Sequence, residues 1–344
     1  MTDSELHDVT GEAHQFLVDR GIVPSDAIPS WTPLTGGVSS ELWRVDFGST
    51  HVVVKGALDK LKVDSDWRAP LSRNEAEWQW LQFAHRVDPT AVPTPLARDP
   101  QRGLIAMSFL PPAQYPIWKA ELMAGNVHVP DASAVGSLVG RLHAASSTDP
   151  DVPTRFANDD NFHVLRIEPY LLTAASRNPD LRAQIVDVAD TTASTHRALV
   201  HGDVSPKNIL IGPNGPVLLD AECAWYGDPA FDPAFVLNHL VLKAVVRPDR
   251  VDVLERASHA LLDAYDSHVG WEDTSSLHSR IGRLVPVLML ARVDGKSPVE
   301  YLDLTEQAAV RGIARSLTAG PPRRIRDVLD DVFGRIDSLR THAK

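Results

Sequence analysis

The chain has 344 residues, of which 43% are hydrophobic and 23% charged, with a formal net charge of −11. This is long enough for one large domain or two lobes with separate cores, and the composition is that of a globular protein. A single cysteine, Cys223, excludes an internal disulfide framework and a multi-cysteine zinc site, and the acidic balance argues against a general nucleic-acid binder. The apolar runs are too short or too interrupted to span a bilayer, and the acidic, polar start does not read as a signal peptide. A cytoplasmic protein without a membrane partner is expected.

Residues 4–20 read as a polar, mildly amphipathic helix ended by Gly21 and Pro24. After Gly36-Gly37-Val38-Ser39-Ser40, residues 42–47 and 51–55 read as a strand pair around a Gly48-Ser49-Thr50 turn. Glycines beside small hydroxyl residues at a strand start let backbone N–H groups approach a phosphate. Gly36, Gly37, Ser39 and Ser40 are therefore candidate nucleotide contacts, although no G-x-x-x-x-G-K-[ST] loop occurs in the chain. Lys55 ends the run Val52-Val53-Val54, where its stem would pack and its ammonium would stay free at the sheet end. Protein kinases hold nucleotide phosphates with a lysine so placed. Such a lysine needs a carboxylate from a nearby helix. Ser72-Arg73-Asn74-Glu75 fits a capping box opening a helix to about residue 86. Glu75 is the expected partner and Glu77, on a different face, the reserve.

Residues 103–110 read as a strand broken by Pro111-Pro112, and a nucleotide-gripping hinge is expected at 108–112. The stripe Val135, Leu138, Val139, Leu142 marks a helix over 133–147, with His143 expected to pack or cap. Residues 149–161 read as a loop, and 166–176 and 179–198 as helices. Further helices are expected at 233–246, 251–269, 277–293 and 304–317. An amphipathic one at the end carries Ile325, Val328, Leu329, Val332, Ile336 and Leu339.

The chemistry concentrates in His201-Gly202-Asp203, Asn208 and Asp220. Ile209-Leu210-Ile211 and Val217-Leu218-Leu219 flank a Gly/Pro/Asn cluster, which predicts a β-hairpin. A hairpin sets Asn208 and Asp220 side by side, with the Asp203 loop just beyond. Amide and carboxylate oxygens suit Mg²⁺, and an upstream aspartate can take the proton of a hydroxyl nucleophile. Base, metal and held phosphate together make the equipment for phosphoryl transfer. No G-x-S-x-G or H-E-x-x-H stretch supports a serine hydrolase or metalloprotease.

The same residues resemble the catalytic loop and metal-binding aspartate of the aminoglycoside phosphotransferase and choline kinase superfamily. The resemblance implies Asp203 as catalytic base and Asn208 and Asp220 as Mg²⁺ ligands, with Ser205 replacing the usual second histidine. Val53-Val54-Lys55-Gly56-Ala57-Leu58, Trp67 to Glu75, Ile117-Trp118-Lys119, Glu168-Pro169-Tyr170 and Tyr226-Gly227-Asp228-Pro229 resemble the 5-methylthioribose kinase branch. That branch carries an Asp-x-Glu at this point, which implies Glu222 as a further metal ligand. It also places substrate-gripping arginines near Arg292, whose neighbours otherwise depart from the pattern. Asp232 matches an aspartate that braces the catalytic loop, with His201 beside it in support.

An α+β, two-lobed protein-kinase-like fold is expected. Residues 1–110 would form a sheet lobe for nucleotide phosphates, and 111–344 a mainly helical lobe with the acceptor site. The expected activity is ATP- and Mg²⁺-dependent transfer of a phosphoryl group to a hydroxyl of a sugar-like metabolite, with Arg292 and Trp118 framing the acceptor. The alternatives are an aminoglycoside or amino-alcohol phosphotransferase, and a non-catalytic nucleotide-binding module. The assembly would be a monomer or homodimer.

Overall fold

Alternation along the third strand decides the architecture of the first unit. The computed structural model describes residues 3–34, 40–57, 72–320 and 323–342. Helix α1 (Asp3–Asp19) precedes strands β1 (Ser30–Pro33), β2 (Ser40–Phe47) and β3 (Thr50–Ala57). Helix α2 (Ser72–Val87) and strands β4 (Pro95–Asp99) and β5 (Leu104–Ser108) follow. The strands form one antiparallel sheet in the order β1-β2-β3-β5-β4. Side chains alternate across a sheet. Val52 and Val54 thus join Leu104, Ala106 and Trp43 against Phe16 and Leu17 of α1, which puts Lys55 on the opposite face. Gly36, Gly37 and Ser39 lie outside the described residues, while Ser40 is buried at the start of β2.

The chain divides into two compact units, Met1–Pro111 and Pro112–Lys344. The second is mainly helical. It opens with α3 (Trp118–Ala124), α4 (Val129–Ser147) and the single turns α5 (Val152–Arg155) and α6 (Asp159–Phe162), the latter two within the expected loop. A π-helical run, His163–Leu172, continues into α7 (Thr173–Arg177). Helix α8 (Arg182–Ser194) stops short of the expected residue 198. Ala198–Val200 is instead a buried strand, β6. The hairpin β7 (Ile209–Gly212) and β8 (Gly215–Leu218) follows, then β9 (Trp225–Gly227), which pairs with β6. Tertiary pairing wins there, because β6 finds its partner 25 residues downstream and no local pattern announces it.

The remaining helices are α9 (Phe231–Val246), α10 (Val251–Asp266), α11 (Thr274–Asp294), α12 (Leu304–Ala319) and α13 (Ile325–His342). Helix α9 is buried almost throughout. Helices α4 and α10 approach backbone to backbone at Gly136 and Gly140. A Cβ at Gly136 would lie 2.0 Å from the Leu261 carbonyl oxygen, and one at Gly140 2.9 Å from that of Tyr265. Among the described residues no helix is long and apolar enough to cross a membrane.

Candidate active site

In the first unit, Lys55 is 5% exposed, and both carboxylate oxygens of Glu77 lie 2.7 Å from its ammonium. The expected partner, Glu75, is turned away. It ion-pairs with Arg98 and accepts from Gln79 Nε2 at 2.7 Å. Helical phase explains the correction. Two residues turn a helix by about 200°, and α2 buries Arg73, Asn74, Ala76, Glu77, Trp80 and Leu81. Glu77 shares that inward face and Glu75 does not.

In the second unit, the hairpin has the expected register, with Ile209 opposite Leu218, and the Leu219 N–H donates to the Asn208 carbonyl at 2.9 Å. Asn208 is therefore level with Leu219, and Asp220 follows at once. Asp220 has φ 65°, and among the described residues no other non-glycine residue is left-handed. Aspartate tolerates this region better than most residues, and such conformations gather at functional sites. The chain then turns, with the Ala224 N–H on the Ala221 carbonyl. No strand continues to align Glu222 with Asp220. The Glu222 carbonyl accepts from Asn161 Nδ2 at 2.8 Å.

Asp203 is 6% exposed. Its Oδ2 lies 3.0 Å from Arg166 Nη2 and 3.3 Å from Lys207 Nζ. Burial raises the carboxyl's pKa, but Lys207 and then Arg166 more than offset this and hold it far below the ordinary range. Both cations sit on Oδ2, Ser205 adds to the lowering, and Oδ1 carries neither ion pair. Asn208 Nδ2 donates to the Asp203 carbonyl at 3.2 Å. The Asn208 side-chain oxygen accepts none of the described hydrogen bonds. Asp220, which follows Leu219 at the same end of the hairpin, brings a carboxylate, and amide and carboxylate oxygens are hard donors of the kind that suits Mg²⁺.

The loop is held from behind. Asp232 accepts from the His201 N–H at 2.8 Å and the Gly202 N–H at 2.9 Å. His143 Nε2 lies 3.1 Å from Asp232, and His143 Nδ1 lies 2.9 Å from Tyr265 Oη. His201 Nδ1 accepts the Asp203 N–H at 3.1 Å, so its ring is the neutral Nε2–H tautomer. Burial lowers its pKa in keeping with this, against the pull of Asp232. Gly202 has φ 79°, and a Cβ there would lie 2.8 Å from that of Cys223. No other residue fits that turn without strain.

Arg166 has no counterpart in the sequence reading. It sits in the π-helical run, donates to the Gly202 carbonyl at 2.5 Å and lies 5.4 Å from the Tyr170 ring centre. The segment Glu168-Pro169-Tyr170 points to this region, but nothing in the sequence links it to a residue 37 positions on. Trp118 does not frame a site. It is 1% exposed, next to Ile117, which bridges Leu210 of the hairpin. Its ring is structural support. Arg292 lies on α11, with Nη1 donating to the Ser297 carbonyl at 2.5 Å and to Tyr170 Oη at 3.3 Å.

Residues 30–271 match the model of the phosphotransferase enzyme family. The methylthioribose kinase of Pectobacterium carotovorum subsp. carotovorum (strain PC1) is 24% identical over 255 residues, which cover 67% of this chain and 63% of that one. The chain thus spans less than two thirds of that relative's length. A choline/ethanolamine kinase family protein from Mesorhizobium loti superposes with a TM-score of 0.56 at 15% identity, covering 96% of this chain and 99% of its own. An amicoumacin kinase in complex with AMP-PNP and Ca²⁺ does so at 0.56 and 14% identity, covering 92% and 96%. The α+β fold is protein-kinase-like, as expected from the sequence. With the family model matched over more than half its length, the chain belongs to the phosphotransferase enzyme family.

Proposed function

We propose that the protein transfers the γ-phosphoryl group of ATP to a hydroxyl of a small sugar-like metabolite. One observation carries the reading: Asp203 is a buried, ionised carboxylate with one oxygen pinned by Arg166 and Lys207 and the other in neither ion pair. The methylthioribose kinase relatives support a sugar-like acceptor. Residues 1–110 would serve the nucleotide phosphates and 111–344 the acceptor.

In this reading Asp203 orients the acceptor hydroxyl in line and takes its proton. Its low pKa suits a late, loose transition state, in which the hydroxyl becomes acidic only as the bond to phosphorus forms. Lys55, steadied by Glu77, would neutralise nucleotide phosphates, and Asp232 keeps the Asp203 loop fixed. Asn208 and Asp220 would hold Mg²⁺, which when bound neutralises charge on the phosphate oxygens, with Glu222 as a further candidate.

The test is incubation of the purified protein with ATP, Mg²⁺ and a metabolite library, scored by mass gain of one phosphoryl group. A product made by the wild type and lost in Asp203→Asn is expected. Equal turnover in the two proteins would remove Asp203 from its role.

A further inference from the structure

Helix α9 carries a stripe at helical spacing: Asp232, Phe235, His239 and Lys243 recur every three or four residues and share a face. Asp232 holds the loop that bears Asp203. Phe235 lies 5.8 Å from the Arg166 guanidinium, and its ring meets that of His239 at 5.4 Å. Lys243 ends the stripe and is 1% exposed. Its ammonium lies 3.3 Å from the centre of the Tyr301 ring, and among the described residues no carboxylate pairs with it. The nearby acid, Glu300, is taken by Lys119.

Arg292 reaches the same region from α11. Its Nη1 is bonded, but its buried Nε meets no acceptor, and neither does the buried Tyr301 hydroxyl. These groups act on one another. Burial, then Arg292 and Lys243, keep His239 well below its ordinary pKa, and burial, then Lys119, lowers that of Lys243 to about 7. A fold ordinarily pairs the cations it buries. Here Lys243 and Arg292 both act on His239, and among the described residues neither has a carboxylate at ion-pair distance: Lys243 rests on the Tyr301 ring, and Arg292 on the Ser297 carbonyl and the Tyr170 hydroxyl.

We propose that the phosphoryl acceptor carries an anionic group, a carboxylate or a phosphate, seated by Lys243 and Arg292 while its hydroxyl meets Asp203. This rests on the kinase reading above. Lys243 lies eight residues, about 12 Å of helix rise, beyond the Phe235 ring that neighbours Arg166. Hydroxyl and anion therefore belong to opposite ends of one small molecule, as in a sugar acid or a phosphosugar. Choline or an aminoglycoside would bring positive charge to a place where cations already repel.

Calorimetric titration of the full chain with gluconate, ribose 5-phosphate, ribose and choline tests this, with and without AMP-PNP and Mg²⁺. At least one anionic probe should bind about tenfold or more tightly than ribose and choline, and AMP-PNP should not displace it. Lys243→Met and Arg292→Gln should each weaken that probe by about tenfold, the scale of one lost charge-assisted contact. Ribose or choline binding as tightly as both anions would overturn the proposal, as would variants that bind the anions normally. Displacement by AMP-PNP would also overturn it, because the cations would then serve the nucleotide. If the anion binds as expected but no phosphoryl transfer occurs to any acceptor, the kinase reading falls and the anion seat stands.

Discussion

Replacing Lys243 by methionine keeps the length of the side chain and removes its charge. In the folded chain, burial first and Lys119 second bring the lysine pKa from 10.5 to about 7. At about 1.4 kcal/mol for each tenfold change in proton affinity, that fall is worth on the order of 5 kcal/mol against folding at pH 7. The Tyr301 ring face beneath the ammonium returns about 2 kcal/mol, and the last turn of α9 favours a cation by up to about 1 kcal/mol. The variant should therefore be more stable by about 2 kcal/mol, a rise in Tm of roughly 4–8 °C for a unit of this size. The folded-state pKa lies below the unfolded one, so the unfolded chain binds more protons between about pH 7 and 10. Wild-type stability should rise across that window through Lys243, and the advantage of the variant should shrink by about 2 kcal/mol between pH 7 and 9. Thermal and urea unfolding followed by circular dichroism at both pH values measures this. A variant that melts at or below the wild type at pH 7, or an advantage that ignores pH, would refute the reasoning.

Steady-state kinetics should show Asp203→Asn slowing transfer by about a hundredfold or more, while ATP affinity measured by calorimetry stays within about twofold. Glu77→Gln should raise the KM for ATP by about tenfold, because it strips Lys55 of its buried partner, and Glu75→Gln should change it by less than about twofold. Arg280 donates to both oxygens of the buried Asp228, whose pKa burial raises to about 6, and to both of Glu272. Arg280→Met should cost about 3 kcal/mol in urea unfolding. The folded Asp228 binds its proton more tightly than the unfolded one, so that deficit should be larger at pH 7 than at pH 5. Gly202→Ala should cost about 2 kcal/mol through its left-handed turn and the contact with Cys223, read by the same unfolding curves.

The hairpin was legible because both of its ends lie within twenty residues, and turn chemistry fixes its register. Lys55 was legible as the charge that ends the valine run Val52-Val53-Val54. The choice between Glu75 and Glu77 was not, because α2 buries Arg73 and Asn74, and polar residues on an inward face disguise the helical phase. Trp118 was misread for a related reason: an aromatic residue beside a bridge to the hairpin is as well suited to support as to contact. Arg166, His239 and Lys243 escaped notice because their significance arises from residues far away in sequence. Lys243 in particular sits where an apolar helix ordinarily ends in a solvated cation.

The two glycines that let α4 and α10 touch backbone to backbone have an effect beyond packing. These helices carry His143 and Tyr265, and the pair leads through Asp232 to the amides of His201 and Gly202. Helix spacing on the far side of the unit is thereby geared to the posture of the reacting loop. A methyl group at Gly140 would push against the Tyr265 backbone itself, so the Asp203 loop is open to disturbance from a helix crossing that holds none of the candidate site residues.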